Sequence, residues 1–85
     1  MGPIPGTRFA WEIRPPEHGT GGPGGVCGDR AAALAALTVA LLDQAPGAVG
    51  ELWRVRPSLV RPAEFVYDRL LVRGERDGGT SVRWR

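Results

Sequence analysis

Cys27 and His18 are the residues of this chain best suited to covalent chemistry, because a thiolate activated by an imidazole is a recurrent nucleophile. Each is the single residue of its type. They lie in a glycine-rich stretch that offers no third group to orient the base, and together they supply too few ligands for a structural zinc. Cys27 reads instead as a small, partly buried packing residue where the loop re-enters the domain. The acids Glu12, Glu17, Asp29, Asp43, Glu51, Glu64, Asp68, Glu75 and Asp77 are scattered, with no close pair on one element to divide acid and base work. Asp29 is placed to cap a helix and Asp77 to close a turn. Gly19-Thr20-Gly21-Gly22-Pro23-Gly24 matches the G-x-G-x-x-G string of dinucleotide sites. Its context fails, since Pro15 to His18 separate it from the strand before and a single β-α-β unit cannot form the binding crevice. A phosphate-binding P-loop is excluded by the absence of lysine. No catalytic, cofactor-binding or metal-ligating residue is assigned, and the chain reads as a non-enzymatic protein without a small-molecule substrate.

The remaining chemistry is that of arginine. All 11 basic residues are Arg, against 9 acids, giving a formal charge of +2 and a pI near 9.5. Exclusive arginine with abundant Ala and Gly reads first as the codon bias of a GC-rich genome. The balance is close to neutral, so only an uneven distribution of arginines creates a surface for nucleic acid.

Elements must supply that distribution. Thr7 to Arg14 alternates as a half-buried strand, with Phe9, Trp11 and Ile13 on one face and Arg8, Ala10, Glu12 and Arg14 on the other. Pro15-Pro16 ends it, and Glu17 to Gly28 reads as a mobile loop with a short return strand at Val26-Cys27. A helix is predicted from Arg30 to about Gln44, capped by Asp29 and stopped by Ala45-Pro46-Gly47. Leu34, Leu37, Leu41 and Ala45 form its core stripe with Leu42 alongside. Gly50 to Arg56 alternates again, placing Trp53 and Val55 opposite Leu52, Arg54 and Arg56, and Pro57 closes it. Phe65 to Arg76 is a longer strand in which Asp68 falls among Val66, Leu70 and Val72, a conflict that a bulge near Tyr67-Asp68 resolves. A three-residue loop, Asp77-Gly78-Gly79, then sets Val72 opposite Trp84 and Gly74 opposite Val82.

The predicted fold is α+β in the order strand-helix-strand-strand-strand, with one helix packed on one face of a mainly antiparallel sheet. Trp11, Trp53 and Trp84 fall one to a strand, each on the parity of its apolar neighbours, so the three indoles are expected to cluster beneath the leucine stripe. Parity then gathers Arg8, Arg14, Arg54, Arg56, Arg73, Arg83 and Arg85 on the open face. That face is read either as a solvated surface or as a nucleic-acid-binding one. The helix side away from the core carries Ala32, Ala36 and Val39, which is read either as ordinary exposed alanine or as the face of a homodimer.

A chain of 85 residues holds one small domain. Residues 1–6 are expected to be a flexible N-terminus, and 7–85 a single α+β domain with a disordered glycine-rich loop at about 15–28. A lone cysteine argues against a secreted disulfide scaffold. The N-terminus lacks a signal-peptide layout, and the apolar stretch Ala31 to Leu42 is too short to cross a membrane. A cytoplasmic location without membrane association is the expectation.

Trp11-Glu12-Ile13-Arg14-Pro15-Pro16, the Gly-rich loop, the Ala/Leu helix ending at Pro46-Gly47 and the Arg-Asp-Gly hairpin before Val82-Arg83-Trp84 resemble short uncharacterised proteins of actinobacteria. Some of those are associated with integrative or plasmid-derived elements, which implies a DNA-associated accessory role. A weaker resemblance joins the first strand, the glycine turn, Val26-Cys27-Gly28-Asp29 and the helix to HicB-type antitoxin domains. The chain departs from that pattern at Ala31-Ala32-Ala33, where acidic residues stand in the antitoxins. The expectation is a small binding or interaction protein, self-associating through the helix, with a nucleic-acid-binding accessory protein of a mobile element as the alternative.

Overall fold

Thr7 to Arg14 alternates apolar and polar residues, and in the computed structural model, which describes residues 6–16, 22–61, 64–79 and 81–85, it supplies strand β1, Arg8–Arg14. The chain continues as β2 (Gly24–Cys27), helix α1 (Arg30–Leu42), β3 (Val49–Pro57), β4 (Phe65–Arg76) and β5 (Val82–Trp84). The strands form one antiparallel sheet in the order β2-β1-β3-β4-β5, and α1 packs on one of its faces. The α+β architecture is therefore as predicted, with the return strand lengthened to four residues. The first five residues and 17–21, including His18, lie outside the described residues.

Helix α1 starts where expected. Asp29 is extended, and its carboxylate accepts from the Ala32 backbone N–H at 2.8 Å. The first turn holds no acid and the last no base, so the helix's own turns add no favourable charge to this cap, and the C-terminal end is met from outside by Arg76, whose Nε donates to the Leu42 carbonyl at 3.4 Å. Leu37 and Leu41 are fully buried, as the stripe requires, but Ala33 completes the row in place of Ala45, which is exposed beyond the helix end. The exit turn needs Gly47 at φ +96°, and its N–H donates to the Arg76 carbonyl at 2.8 Å, docking the turn on the end of β4. The helix has 13 residues, and no described helix is long and apolar enough to cross a membrane.

The core lies between α1 and the sheet. Ile13, Ala33, Leu37, Leu41, Ala48 and Leu52 are buried together, with Phe9, Trp11, Cys27, Leu71, Val72 and Val82 packed against them. The position of β3 is decided by Gly50. A Cβ there would stand 2.7 Å from Leu37 Cδ1 and 3.2 Å from Leu41 Cδ2, so this glycine lets the two leucines descend onto the sheet. Its backbone pairs with Ile13, and Leu52 pairs with Trp11, which puts Gly50 and Leu52 on the helix side.

Alternation then turns Trp53 and Val55 away from α1. The expected cluster of three tryptophans under the leucine stripe does not form. Trp11 packs on the core, Trp84 lies on the helix side at the sheet edge, where Gly74 makes room for its ring, and Trp53 belongs to the opposite face. The cause is that β3 is central and apolar on both parities, so its sequence does not distinguish the two faces.

Strand β4 accommodates Asp68 as expected, but with two irregularities. Pairing with β3 shifts between Arg54 and Val55, leaving Asp68 extra, and again between Leu52 and Trp53, leaving Leu71 extra. Leu71 and Val72 consequently both pack toward the core. The closing hairpin has a longer connection than predicted: Gly74 pairs with Trp84 and Arg76 with Val82. Asp77 explains it. Its carboxylate accepts from the Gly79 N–H at 2.9 Å and from the Ser81 hydroxyl, while its N–H donates to the Ser81 carbonyl at 3.2 Å. This loop outcompetes the three-residue one, and because the slip is even, side chains keep their faces.

Candidate interaction surface

The sheet face opposite α1 is built of rows that cross the strands. One row runs Val26, Ala10, Trp53 and Leu70 along β2, β1, β3 and β4, each residue paired with the next. The row beside it runs Arg8, Val55 and Tyr67, and Phe65 follows opposite Pro57. Half of the open face is thus apolar. Ala10 and Val55 are buried, whereas Val26 and Tyr67 are each 49% exposed and Leu70 39%. The rings of Trp53 and Tyr67 meet edge to face with centroids 5.5 Å apart. Trp53 Nε1 is buried without a hydrogen-bond partner among the described residues, a cost of about 1–3 kcal/mol that the ring's packing must exceed. Partial burial pushes the Tyr67 phenol above its ordinary value of 10.0, and the negative charge of Glu12 adds to the shift.

The other half is charged and balanced. One row carries Glu12, Glu51 and Arg73, and the next Arg14, Val49, Glu75 and Arg83. Glu12 opposite Glu51 is a like-charge pair, relieved because Arg14 Nη2 bonds Glu51 Oε1 at 2.7 Å from the diagonal position and Arg73 stands on the other side. Three arginines here meet three glutamates.

The seven arginines predicted to share this face are divided. Arg8, Arg14, Arg73 and Arg83 lie on it by register, and the Arg85 backbone N–H donates to the Arg73 carbonyl at 2.8 Å, beside them. Arg54 and Arg56 do not join them. They share the parity of Leu52 on the helix side, where Arg54 is held by Asp68 through Nη2 at 2.9 Å and Nε at 3.0 Å, and Arg56 is exposed opposite Val66. On α1, Ala32 and Val39 are exposed as expected, and Ala36 is half-buried.

Of the chemistry-bearing residues, Cys27 and Gly24 are described and have structural positions. Cys27 pairs with Phe9 and packs against the core. Gly24, the last residue of the glycine string, pairs with Glu12 inside the sheet, so that end of the string is a strand and not a phosphate loop. Among the described residues no three His, Cys, Asp or Glu side chains gather to hold a metal. Sequence reasoning missed Val26, Phe65, Tyr67 and Leu70 as surface residues. A signal was present in the adjacent apolar pairs Leu52-Trp53 and Phe65-Val66, which break the alternation of a strand covered on one side only. No family model matches the chain, and no curated protein or solved structure matches it either.

Proposed function

We propose that this chain is a small non-enzymatic interaction protein of the cytoplasm that docks a protein partner on the sheet face opposite α1. One observation carries the reading: Val26, Trp53, Tyr67 and Leu70 form a contiguous, partly exposed apolar band on a face that no element of the chain covers among the described residues. Aromatic residues within a balanced polar surround are the composition of protein interfaces. Among the described residues, Asp29 is committed to a cap, Asp77 to a loop and Glu51 and Asp68 to ion pairs.

The nucleic-acid alternative is weakened by the same register. Phosphate binding needs arginines unopposed by carboxylates, and Arg14, Arg73 and Arg83 alternate with Glu12, Glu51 and Glu75. Photo-crosslinking in the expressing cell separates the readings. A benzophenone side chain at position 67 or 70 is expected to yield protease-sensitive adducts in excess over one at position 39 on α1. Nuclease-sensitive adducts, or adducts favouring position 39, would reject this face as a protein-docking surface.

A further inference from the structure

Resting on that reading, we infer that the partner on the open face is a second copy of this chain, related by a two-fold axis that runs along β3. The charge pattern selects both the occupant and its orientation. Two sheets packed face to face lie about 10 Å apart. An axis parallel to β3, midway between them, lays β1 over the partner's β4 and keeps every row at its own height. Glu12 then faces the partner's Arg73, and Arg14 faces the partner's Glu75, each contact occurring twice. In the apolar half Ala10 faces the partner's Leu70, Arg8 faces the partner's Tyr67, and Trp53 and Val55 meet their own copies on the axis, as in the charged half does Glu51, whose charge is already met by Arg14 within its own chain at 2.7 Å. The other in-plane axis, perpendicular to the strands, would lay the charged half of each sheet over the apolar half of its mate. That arrangement desolvates glutamates and arginines against hydrocarbon and is disfavoured.

Area favours this face over the helix. Five strands about 4.8 Å apart and about seven residues long, at about 3.3 Å per residue, present on the order of 550 Å². The exposed side of a helix the length of α1, about 20 Å by 10 Å, presents only about 200 Å². Against about 600–1,000 Å² per partner in a standard interface, the sheet face falls just short of the lower bound, in the range of weak, transient contacts, and the helix face is far below it. A weak dimer, with Kd on the order of micromolar, is the consequence.

Sedimentation velocity of the full chain, from micromolar to about 1 mM, tests the inference, with circular dichroism checking that each variant keeps its fold. The wild type should dimerise. Glu12→Arg or Arg73→Glu alone should weaken the dimer by roughly tenfold or more, because each sets like charges face to face twice, and the two together should restore it to within a few-fold of wild type. Leu70→Asp should give a monomer, and Val39→Asp on α1 should change nothing. A wild type that stays monomeric at 1 mM overturns the second copy as occupant while the docking reading stands on the crosslinks. A dimer in which the combined swap fails to rescue overturns the orientation. A dimer dissociated by Val39→Asp and indifferent to Leu70→Asp overturns both.

Discussion

Asp77 shows how far one side chain can move a structure. A turn residue was legible in Asp77-Gly78-Gly79, yet the carboxylate bonds forward to Gly79 and Ser81, and Arg76 Nη1 donates to the Asp77 and Gly79 carbonyls. The connection is lengthened and Trp84 moves from Val72 to Gly74. These bonds, led by that to the Ser81 hydroxyl, hold the Asp77 carboxyl below its ordinary value of 3.8. A depressed carboxyl contributes stability that is present above its unfolded value of about 3.9 and is lost as pH falls through the lower folded value. Asp77→Asn should therefore leave the chain less stable than wild type near neutrality, and the difference should shrink below about pH 4. Urea unfolding at several pH values checks it, and a constant difference throughout would show that the charge is not what matters. Glycines act by the space they leave. Gly25 and Gly74 stand opposite Trp11 and Trp84, where added Cβ atoms would lie 2.8 Å and 2.6 Å from the indoles. Read along the chain these glycines suggest looseness. Only the cross-strand partner shows them to be seats for aromatic rings.

At the scale of elements, the helix was the most legible and the central strand the least. The start of α1 follows from Asp29 ahead of an apolar run, and its end from Pro46-Gly47, both local effects. With no acid in the first turn to take over its role, Asp29→Ala should cost about 1 kcal/mol of unfolding free energy, measurable by urea titration. A cost indistinguishable from zero would mean that packing of Leu37 and Leu41 alone defines the helix start. The bounds of β4 and a bulge near Tyr67-Asp68 were also readable, since a polar residue on the wrong parity requires an inserted residue. The second bulge, at Leu71, was not, because an extra apolar residue among apolar residues leaves no mark in the pattern. Strand β3 gave the wrong face for the same reason. With Leu52, Trp53 and Val55 spanning both parities, the choice passes to Gly50, whose bare backbone admits the leucines of α1 from one side only.

For the molecule as a whole, strand order sets where stability resides. β3 lies between β1 and β4 and is paired along its length, whereas β2 and β5 are short edges. β5 pairs only with Gly74 to Arg76, so among the described residues the outer edge of β4 from Phe65 to Val72 has no strand against it. The two bulges twist that edge and blunt it against further pairing. Native-state hydrogen exchange should accordingly find the strongest protection in β3 and β1 and weak protection in β5 and in the outward amides of β4. Uniform protection across β4 in a concentrated sample would instead reveal edge-to-edge pairing between chains.

By itself the sequence determined the α+β class, the order of the elements, the capped helix and the alternation that carries Phe9, Trp11 and Ile13 into the core. These depend on contacts a few residues apart or on a period of two or 3.6, and both are written along the chain. Tertiary structure alone decided which side of β3 faces the helix, and with it the fate of the arginines. Register is a relation between strands distant in sequence, and it interleaved Arg14, Arg73 and Arg83 with Glu12, Glu51 and Glu75 while turning Arg54 and Arg56 away. The same relation carried Trp53 from the expected core to the open face, where it joins Val26, Tyr67 and Leu70 in the band on which the proposed function rests.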